Sequence, residues 1–188
     1  MRKFVYGSGI DEVISLTDDL SLNTYYYSYD GLGSVTEITD AAGTVVEKYE
    51  YDVYGNTTIR DASDVVITAS TIGNPYGFTG RRIDHETGLF YYQARMYSPA
   101  LGRFLQTDPI GYWDSVNLYN YVNNNPLRFS DPFGLRTYSE EEIRQIIEDA
   151  GTGLVDYFNK PPKIFGGNQK NKGVKPRLSY CVGKCESS

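Results

Sequence analysis

Aspartate stands three residues ahead of glycine in Asp30-Gly31-Leu32-Gly33, Asp40-Ala41-Ala42-Gly43 and Asp52-Val53-Tyr54-Gly55. A fourth copy, Asp61-Ala62-Ser63-Asp64, carries aspartate in the glycine's place. The intervals are 10, 12 and 9 residues. The spacing is turn chemistry: an aspartate carboxylate accepts a backbone N–H two residues on, and glycine supplies the positive φ that reverses the chain. A β-rich run follows each copy: Ser34-Val35-Thr36, Thr44-Val45-Val46, Thr57-Thr58-Ile59 and Val65-Val66-Ile67. Turn signals every 8–12 residues between short strands predict an antiparallel meander and a mainly β fold. Period-2 alternation is clearest over residues 45–51, with Val45, Glu47, Tyr49 and Tyr51 facing one way. Tyr29-Asp30 and Tyr51-Asp52 lie 22 residues apart, each opening a Tyr-Asp-x-x-Gly unit. A period near 20 marks stacked units that do not bury their faces alone. Two copies leave open sheet edges, so the chain reads as the last portion of something longer.

The repeat explains an odd composition. Eighteen of 188 residues are tyrosine, against one tryptophan, two cysteines and one histidine. Tyrosine suits strands because its ring packs on a pleat while its hydroxyl tolerates a wet edge. Two cysteines cannot staple a chain of this length, and His85 alone makes a His-rich metal site a poor expectation; no cofactor is expected. No stretch reaches the ~18 apolar residues of a spanning helix, and no signal-peptide core follows Met1-Arg2-Lys3-Phe4.

Charge divides the chain. Residues 1–135 hold 9 basic and 17 acidic side chains, residues 136–188 hold 9 and 7, and residues 157–188 hold 7 and 1. Fifteen of the tyrosines precede residue 136. Composition therefore sets three segments: repeat strands over 1–73, a loop-rich segment over 74–135, and a tail over 136–188. The middle segment, punctuated by Gly and Pro with a turn at Asn123-Asn124-Asn125-Pro126, predicts short strands and little helix. The tail opens with one convincing helix: Ser139 as N-cap, Glu142 as its capping-box partner, Ile143, Ile146 and Ile147 on one face, and Gly151 and Gly153 at the end. The basic stretch from Lys160 to Lys184, interleaved with Tyr157, Phe158, Phe165 and Tyr180, suits nucleic acid or an anionic membrane, although a solvated tail is the plainer reading. Cys181 and Cys185 are too few for zinc and close a very tight loop as a disulfide.

Several stretches resemble the YD repeats and the repeat-associated core of Rhs proteins. They are Tyr6-Gly-Ser-Gly-Ile-Asp-Glu12, Asp30-Gly-Leu-Gly-Ser-Val35, Asn74-Pro-Tyr-Gly-Phe-Thr-Gly-Arg81, Glu86-Thr-Gly-Leu-Phe-Tyr-Tyr-Gln-Ala-Arg-Met-Tyr97, Gly102-Arg-Phe-Leu-Gln-Thr-Asp-Pro-Ile-Gly111, Asn117-Leu-Tyr-Asn-Tyr-Val122 and Asp131-Pro-Phe-Gly-Leu135. Together they cover roughly the first 135 residues in the family's order. The resemblance implies a β-shell closed at one end by the core and enclosing a C-terminal effector. It also implies a bacterial polymorphic toxin, made in the cytoplasm, secreted or delivered to competitors within a larger effector, and matched by an immunity protein. Other shell segments, or a second copy joined through the open edges, are the expected partners. The family's Asp-Pro-x-Gly-Leu motif marks self-cleavage after its leucine, here the Leu135–Arg136 bond at the composition boundary.

Peptide hydrolysis by carboxylates needs two within reach of one bond, one ionised to activate water and one protonated to polarise the carbonyl. The chain offers Asp108-Pro109 and Asp131-Pro132, and the resemblance assigns the dyad to Asp108 and Asp131. It also places Arg95 beside them, to fix a carboxylate or stabilise the oxyanion. Arg103 is a weaker candidate for that role, and Asp114 competes for the upstream carboxylate. Asp before Pro is also a common turn device, and His85 beside Asp84 reads as a surface turn. Acid scission at Asp131–Pro132 would start a fragment at Pro132, whereas enzymatic cleavage starts one at Arg136. Two functions stand open: an aspartyl autoprotease that releases the tail, or a non-catalytic element that closes a shell.

Overall fold

Each repeat aspartate closes the turn that follows it with one oxygen. Asp30 Oδ1 accepts the N–H groups of Leu32 at 2.9 Å and Ser34 at 2.8 Å. Asp40 does the same for Ala42 and Thr44, Asp52 for Tyr54 and Asn56, and Asp61 for Ser63 and Val65. At the fourth turn Asp64 takes the left-handed conformation, φ 65°, that glycine takes in the other three. Aspartate is among the few side chains that adopt it at small cost.

These turns set the topology of a computed structural model that describes residues 2–151. The first sheet is a seven-stranded antiparallel meander in chain order: β1 (Arg2–Tyr6), β2 (Val13–Asp18), β3 (Thr24–Tyr29), β4 (Val35–Thr39), β5 (Val45–Tyr51), β6 (Thr57–Asp61) and β7 (Val66–Ile67). The meander begins ahead of the visible repeat because two turns use other devices. Glu12 Oε2 accepts the Gly9 N–H between β1 and β2, and Asp18 Oδ1 accepts the Leu20 N–H between β2 and β3 without a following glycine.

Alternation buries one face of this sheet around Val13, Val35, Ile38, Tyr49, Ile59 and Tyr76. The predicted β5 face does turn inward, and it carries a surprise. Glu47 is wholly buried. Its carboxyl accepts hydrogen bonds from the Tyr49 hydroxyl, Ser70 Oγ, the N–H and hydroxyl of Thr71, and the Ile72 N–H. A buried acid is tolerated when its oxygens are satisfied in this way. Burial and the neighbouring Glu47 push the Tyr49 hydroxyl well up, so it stays a donor.

A second antiparallel sheet pairs β8 (Arg82–Asp84), β9 (Leu89–Tyr92), β10 (Arg95–Ser98) and β11 (Arg103–Phe104), again neighbour to neighbour. Its core is aromatic: Phe78, Phe90, Tyr92, Tyr97, Phe104 and Tyr121. Half-buried Tyr51 packs against both cores, with its hydroxyl on the Val35 carbonyl at 2.7 Å and its ring 5.7 Å from Phe78. The buried tyrosines keep polar partners. Tyr97 donates to the Tyr54 carbonyl, and the Tyr92 hydroxyl joins those of Thr79 and Tyr121 at 2.6 and 3.1 Å. Tyrosine is thus used here as an aromatic core residue with a hydrogen bond attached.

Among the described residues the one α-helix is α1 (Glu140–Gly151), whose start is a capping box: Ser139 Oγ accepts the Glu142 N–H and Glu142 Oε2 accepts the Ser139 N–H. The expectations for Gly153, the basic stretch and the two cysteines lie outside the described residues. No helix among the described residues is long and apolar enough to cross a membrane.

Among the described residues, no strand pairs with the outer edge of β1 or of β7. Val5 and Tyr6 on β1 and Val65 and Val66 at β7 are more than half exposed. Bare edges with apolar side chains recruit further strands. The isolated chain is therefore expected to self-associate in a concentration-dependent way, as read by light scattering. A monodisperse monomer across the micromolar range would count against it.

Candidate active site

The turn device recurs twice outside the repeat, at Asp108-Pro109-Ile110-Gly111 and Asp131-Pro132-Phe133-Gly134. In the first, Asp108 Oδ1 accepts the Ile110 N–H at 3.0 Å, and the Gly111 N–H returns to the Asp108 carbonyl at 3.1 Å. In the second, Asp131 Oδ1 accepts the Leu135 N–H at 2.9 Å, and the Gly134 N–H returns to the Asp131 carbonyl at 3.3 Å. Gly134 sits at φ 64°, and a Cβ there would lie 2.4 Å from the Tyr92 carbonyl oxygen. Only glycine lets the loop pass so close to β9.

In both turns Oδ1 is spent on backbone, and Oδ2 turns to one side chain. Arg95, at the start of β10, spans the pair, with Nη1 3.1 Å from Asp108 Oδ2 and Nη2 3.2 Å from Asp131 Oδ2. Its Nε donates to the Gly134 carbonyl at 2.7 Å and its Nη1 to the Leu118 carbonyl at 3.2 Å. The guanidinium lies 3.7 Å over the Phe104 ring. It does not clamp one carboxylate bidentately; each arm of its fork takes a different aspartate. All three side chains are 8 % exposed or less.

Burial dominates the titration of the two acids. Desolvation pushes the Asp131 carboxyl up to about 7, against the backbone N–H groups and Arg95, which favour its charged form; the charge of Asp114 adds to the rise. Asp108 is also raised, chiefly by burial, with Arg95 opposing. Two acids beside one cation leave room for one proton near neutral pH, and the more deeply buried Asp131 is its natural holder.

The Leu135–Arg136 bond lies against this group. Asp131 Oδ1 also accepts the N–H of Arg136 at 3.2 Å, the nitrogen of that bond. Asp114 stands elsewhere than on the guanidinium: its Oδ2 accepts the Thr137 N–H at 3.0 Å and the Thr137 hydroxyl at 2.8 Å. Arg103 is exposed on β11, and exposed His85 lies 3.2 Å from the Asn74 carbonyl. From the other side, buried Arg81 donates to the Pro132 carbonyl at 3.0 Å and to Asp11.

Residues 3–133 match the family model described as the teneurin YD-shell. The chain belongs to the teneurin YD-shell family. As a YD-shell chain it is 38 % identical over 137 residues to the tRNA3(Ser)-specific nuclease WapA of Bacillus spizizenii, covering 71 % of this chain and 6 % of WapA. It is 40 % identical over 116 residues to the toxin subunit YenC1 of Yersinia entomophaga, covering 58 % and 11 %. A crystal structure of TcdB2-TccC3 without its hypervariable C-terminal region superposes with a TM-score of 0.54 at 31 % identity, over 64 % of this chain and 6 % of that one. The YD-shell chain thus spans a small fraction of the length of these three relatives. The resemblance to Rhs and YD-repeat toxin proteins holds, as does the mainly β, antiparallel fold.

Arg81 beneath the loop at 131–135 and the Thr79–Tyr92–Tyr121 hydroxyl chain were not among the residues expected from sequence. Both motif aspartates are turn residues, as Asp before Pro allowed. A second signal was present: Asp-x-x-Gly at 108–111 and 131–134 has the spacing of the repeat.

Proposed function

We propose that the chain is the closing end of a YD-repeat shell and that Asp108, Asp131 and Arg95 cut the Leu135–Arg136 bond, releasing the segment that begins at Arg136. One observation carries this reading: Asp131 shares Arg95 with a second buried carboxyl and at the same time holds the nitrogen of that bond. Asp108 as carboxylate removes a proton from a water molecule, whose oxygen attacks the Leu135 carbonyl carbon. Asp131 as acid gives its proton to the Arg136 nitrogen, and the C–N bond breaks. The remaining hydroxyl proton passes to the freed amine, so the products are a Leu135 carboxylate and an Arg136 ammonium, with Asp108 left protonated and Asp131 ionised until they exchange protons with water. Arg95 neutralises the carboxylate throughout and offers N–H donors to the charge that develops.

The name of the solved relative marks its C-terminal region as hypervariable, and the composition break of this chain falls at the proposed cut. Both fit a constant shell end joined to an exchangeable cargo, exported within a larger bacterial effector. Further YD segments pairing with the β1 edge complete the shell in this reading, and an immunity protein is the expected partner of a toxic cargo.

Intact mass spectrometry during synthesis tests the cut. Fragments of residues 1–135 and 136–188 are expected from the wild-type chain and a single uncleaved species from Asp131→Asn, since losing a general acid costs about 10²–10⁴ in rate. The acid must hold its proton, so the rate should fall as pH rises through about 7, where Asp131 ionises. It should also fall once acid protonates Asp108. A wild-type chain that stays intact from pH 5 to 8 would leave the non-catalytic closing element as its function.

A further inference from the structure

Four successive N–H groups run across the proposed cut, and all four are bonded, the first two to one shared oxygen. Leu135 and Arg136 donate to Asp131 Oδ1, Thr137 donates to Asp114 Oδ2, and Tyr138 donates to the Ser130 carbonyl at 2.8 Å. Ser130 and Tyr138 complete an antiparallel bridge, with the Ser130 N–H on the Tyr138 carbonyl at 3.0 Å. The dyad therefore grips the chain only as far as the nitrogen of the bond. Beyond it, the side-chain acceptor that sets the register is Asp114.

Asp114 does more than accept an amide. The Thr137 hydroxyl donates to Asp114 Oδ2 at 2.8 Å and lies 3.2 Å from Asn123 Nδ2, which donates to it. Position 137 thus meets an acceptor on one side and a donor on the other. Only a hydroxyl satisfies both from a short side chain. Asn123 is held for this by a left-handed turn: Val122, Asn123 and Asn124 have φ of 41°, 52° and 57°. A β-branched valine at positive φ is strained, and such strain persists where surrounding structure over-determines it.

We propose that Asp114 and Asn123 form a positioning clamp that reads a hydroxyl side chain two residues beyond the cut, making Ser or Thr at position 137 a specificity requirement of self-cleavage. This rests on the autocleavage reading above. The clamp holds the departing half of the bond in register while Asp131 delivers its proton to the Arg136 nitrogen. A misplacement of about 1 Å at a reacting centre is enough to cost orders of magnitude. It also gives Asp114 a task separate from the dyad.

The test follows cleavage of the full 188-residue chain as a time course in cell-free synthesis, read by intact mass. Thr137→Val keeps the shape and the N–H but removes the hydroxyl, and Asp114→Ala removes the acceptor. Each should slow cleavage about tenfold or more, the size expected for losing a hydrogen bond to a charged group. Thr137→Ser, which puts the hydroxyl back, should recover most of the rate. A purely structural role for the threonine methyl predicts the opposite order, with valine tolerated and serine slow. Either that order, or wild-type rates in both Thr137→Val and Asp114→Ala while Asp131→Asn stays intact, overturns the clamp and leaves the autoprotease standing. A wild-type chain that never cleaves sinks the autoprotease instead. In that case amide hydrogen exchange decides the clamp on the intact chain. The Thr137 amide should exchange about tenfold faster in Asp114→Ala, and unchanged exchange overturns it.

Discussion

Arg95→Ala is expected to lose about 3–5 kcal/mol of folding stability at neutral pH, together with self-cleavage. The substitution removes the only cation, among the described residues, paired with two almost wholly buried carboxyls, Asp108 and Asp131. It also strips donors from the Gly134 and Leu118 carbonyls and lifts a plate off the Phe104 ring. Unpaired buried charge is the costliest part, so the loss should depend on pH. The folded-state value of Asp131 already lies above its ordinary 3.8. Its proton therefore favours the folded chain below about pH 4, and that contribution fades as pH rises through about 7. Without Arg95 both acids rise further, and acidification relieves the variant more than the wild type. Urea melts at pH 5 and pH 8 should show a smaller gap between the two proteins at pH 5. A gap that is equal at both would mean that the arginine acts by packing alone. Arg95→Lys keeps the charge but not the fork, and one ammonium cannot serve two aspartates and two carbonyls at once. It should fold better than the alanine variant and still fail to cleave.

Glu47→Ala should cost about 3 kcal/mol or more, although Glu47 lies in a different part of the fold from the site. It accepts five hydrogen bonds, one from Tyr49 within β5 and four that tie the Ser70–Ile72 loop to the strand. Truncation leaves buried donors unmatched, at about 1–3 kcal/mol each before relaxation. Glu47→Gln is informative because it is nearly isosteric. Its amide nitrogen would face donors where an oxygen stood, so it too should destabilise, by less than the alanine. Guanidinium melts measure both, and hydrogen exchange should place the first losses at Thr71 and Ile72. A fully stable glutamine variant would mean that one acceptor oxygen is enough.

How much of this was legible depended on whether the relevant force was local. Asp30, Asp40, Asp52 and Asp61 bond N–H groups two and four residues away, so their turns are written in adjacent letters. Asp64 in place of glycine was readable for the same reason. The strand segment was drawn from residue 1, but the turns that bound β1 and β2 were not located, because they use Glu12 and Asp18 without the repeat's spacing. Glu47 was legible as a residue on the inward face of β5, yet alternation gives no reason to bury an acid. The loop that satisfies it comes from 23 to 25 residues further on. Asp114 was singled out as a rival carboxylate, and only the return of the chain at residues 122–124 shows that it meets Thr137 instead.

The sequence by itself determined the meander, its turn residues, the tyrosine-rich β segment, the break near Leu135 and the candidates Asp108, Asp131 and Arg95. Each of these follows from contacts within a few residues, from composition, or from motif resemblance. The tertiary structure alone decided which oxygen of each aspartate faces the backbone and which faces Arg95. It also decided that Asp131 reaches the Arg136 nitrogen and that Asp114 grips the far side of the bond. Those outcomes depend on burial and on side chains 13 to 36 residues apart. Desolvation, which lifts Asp131 to about 7, is a property of everything packed around a carboxyl and of nothing in its own neighbours along the chain.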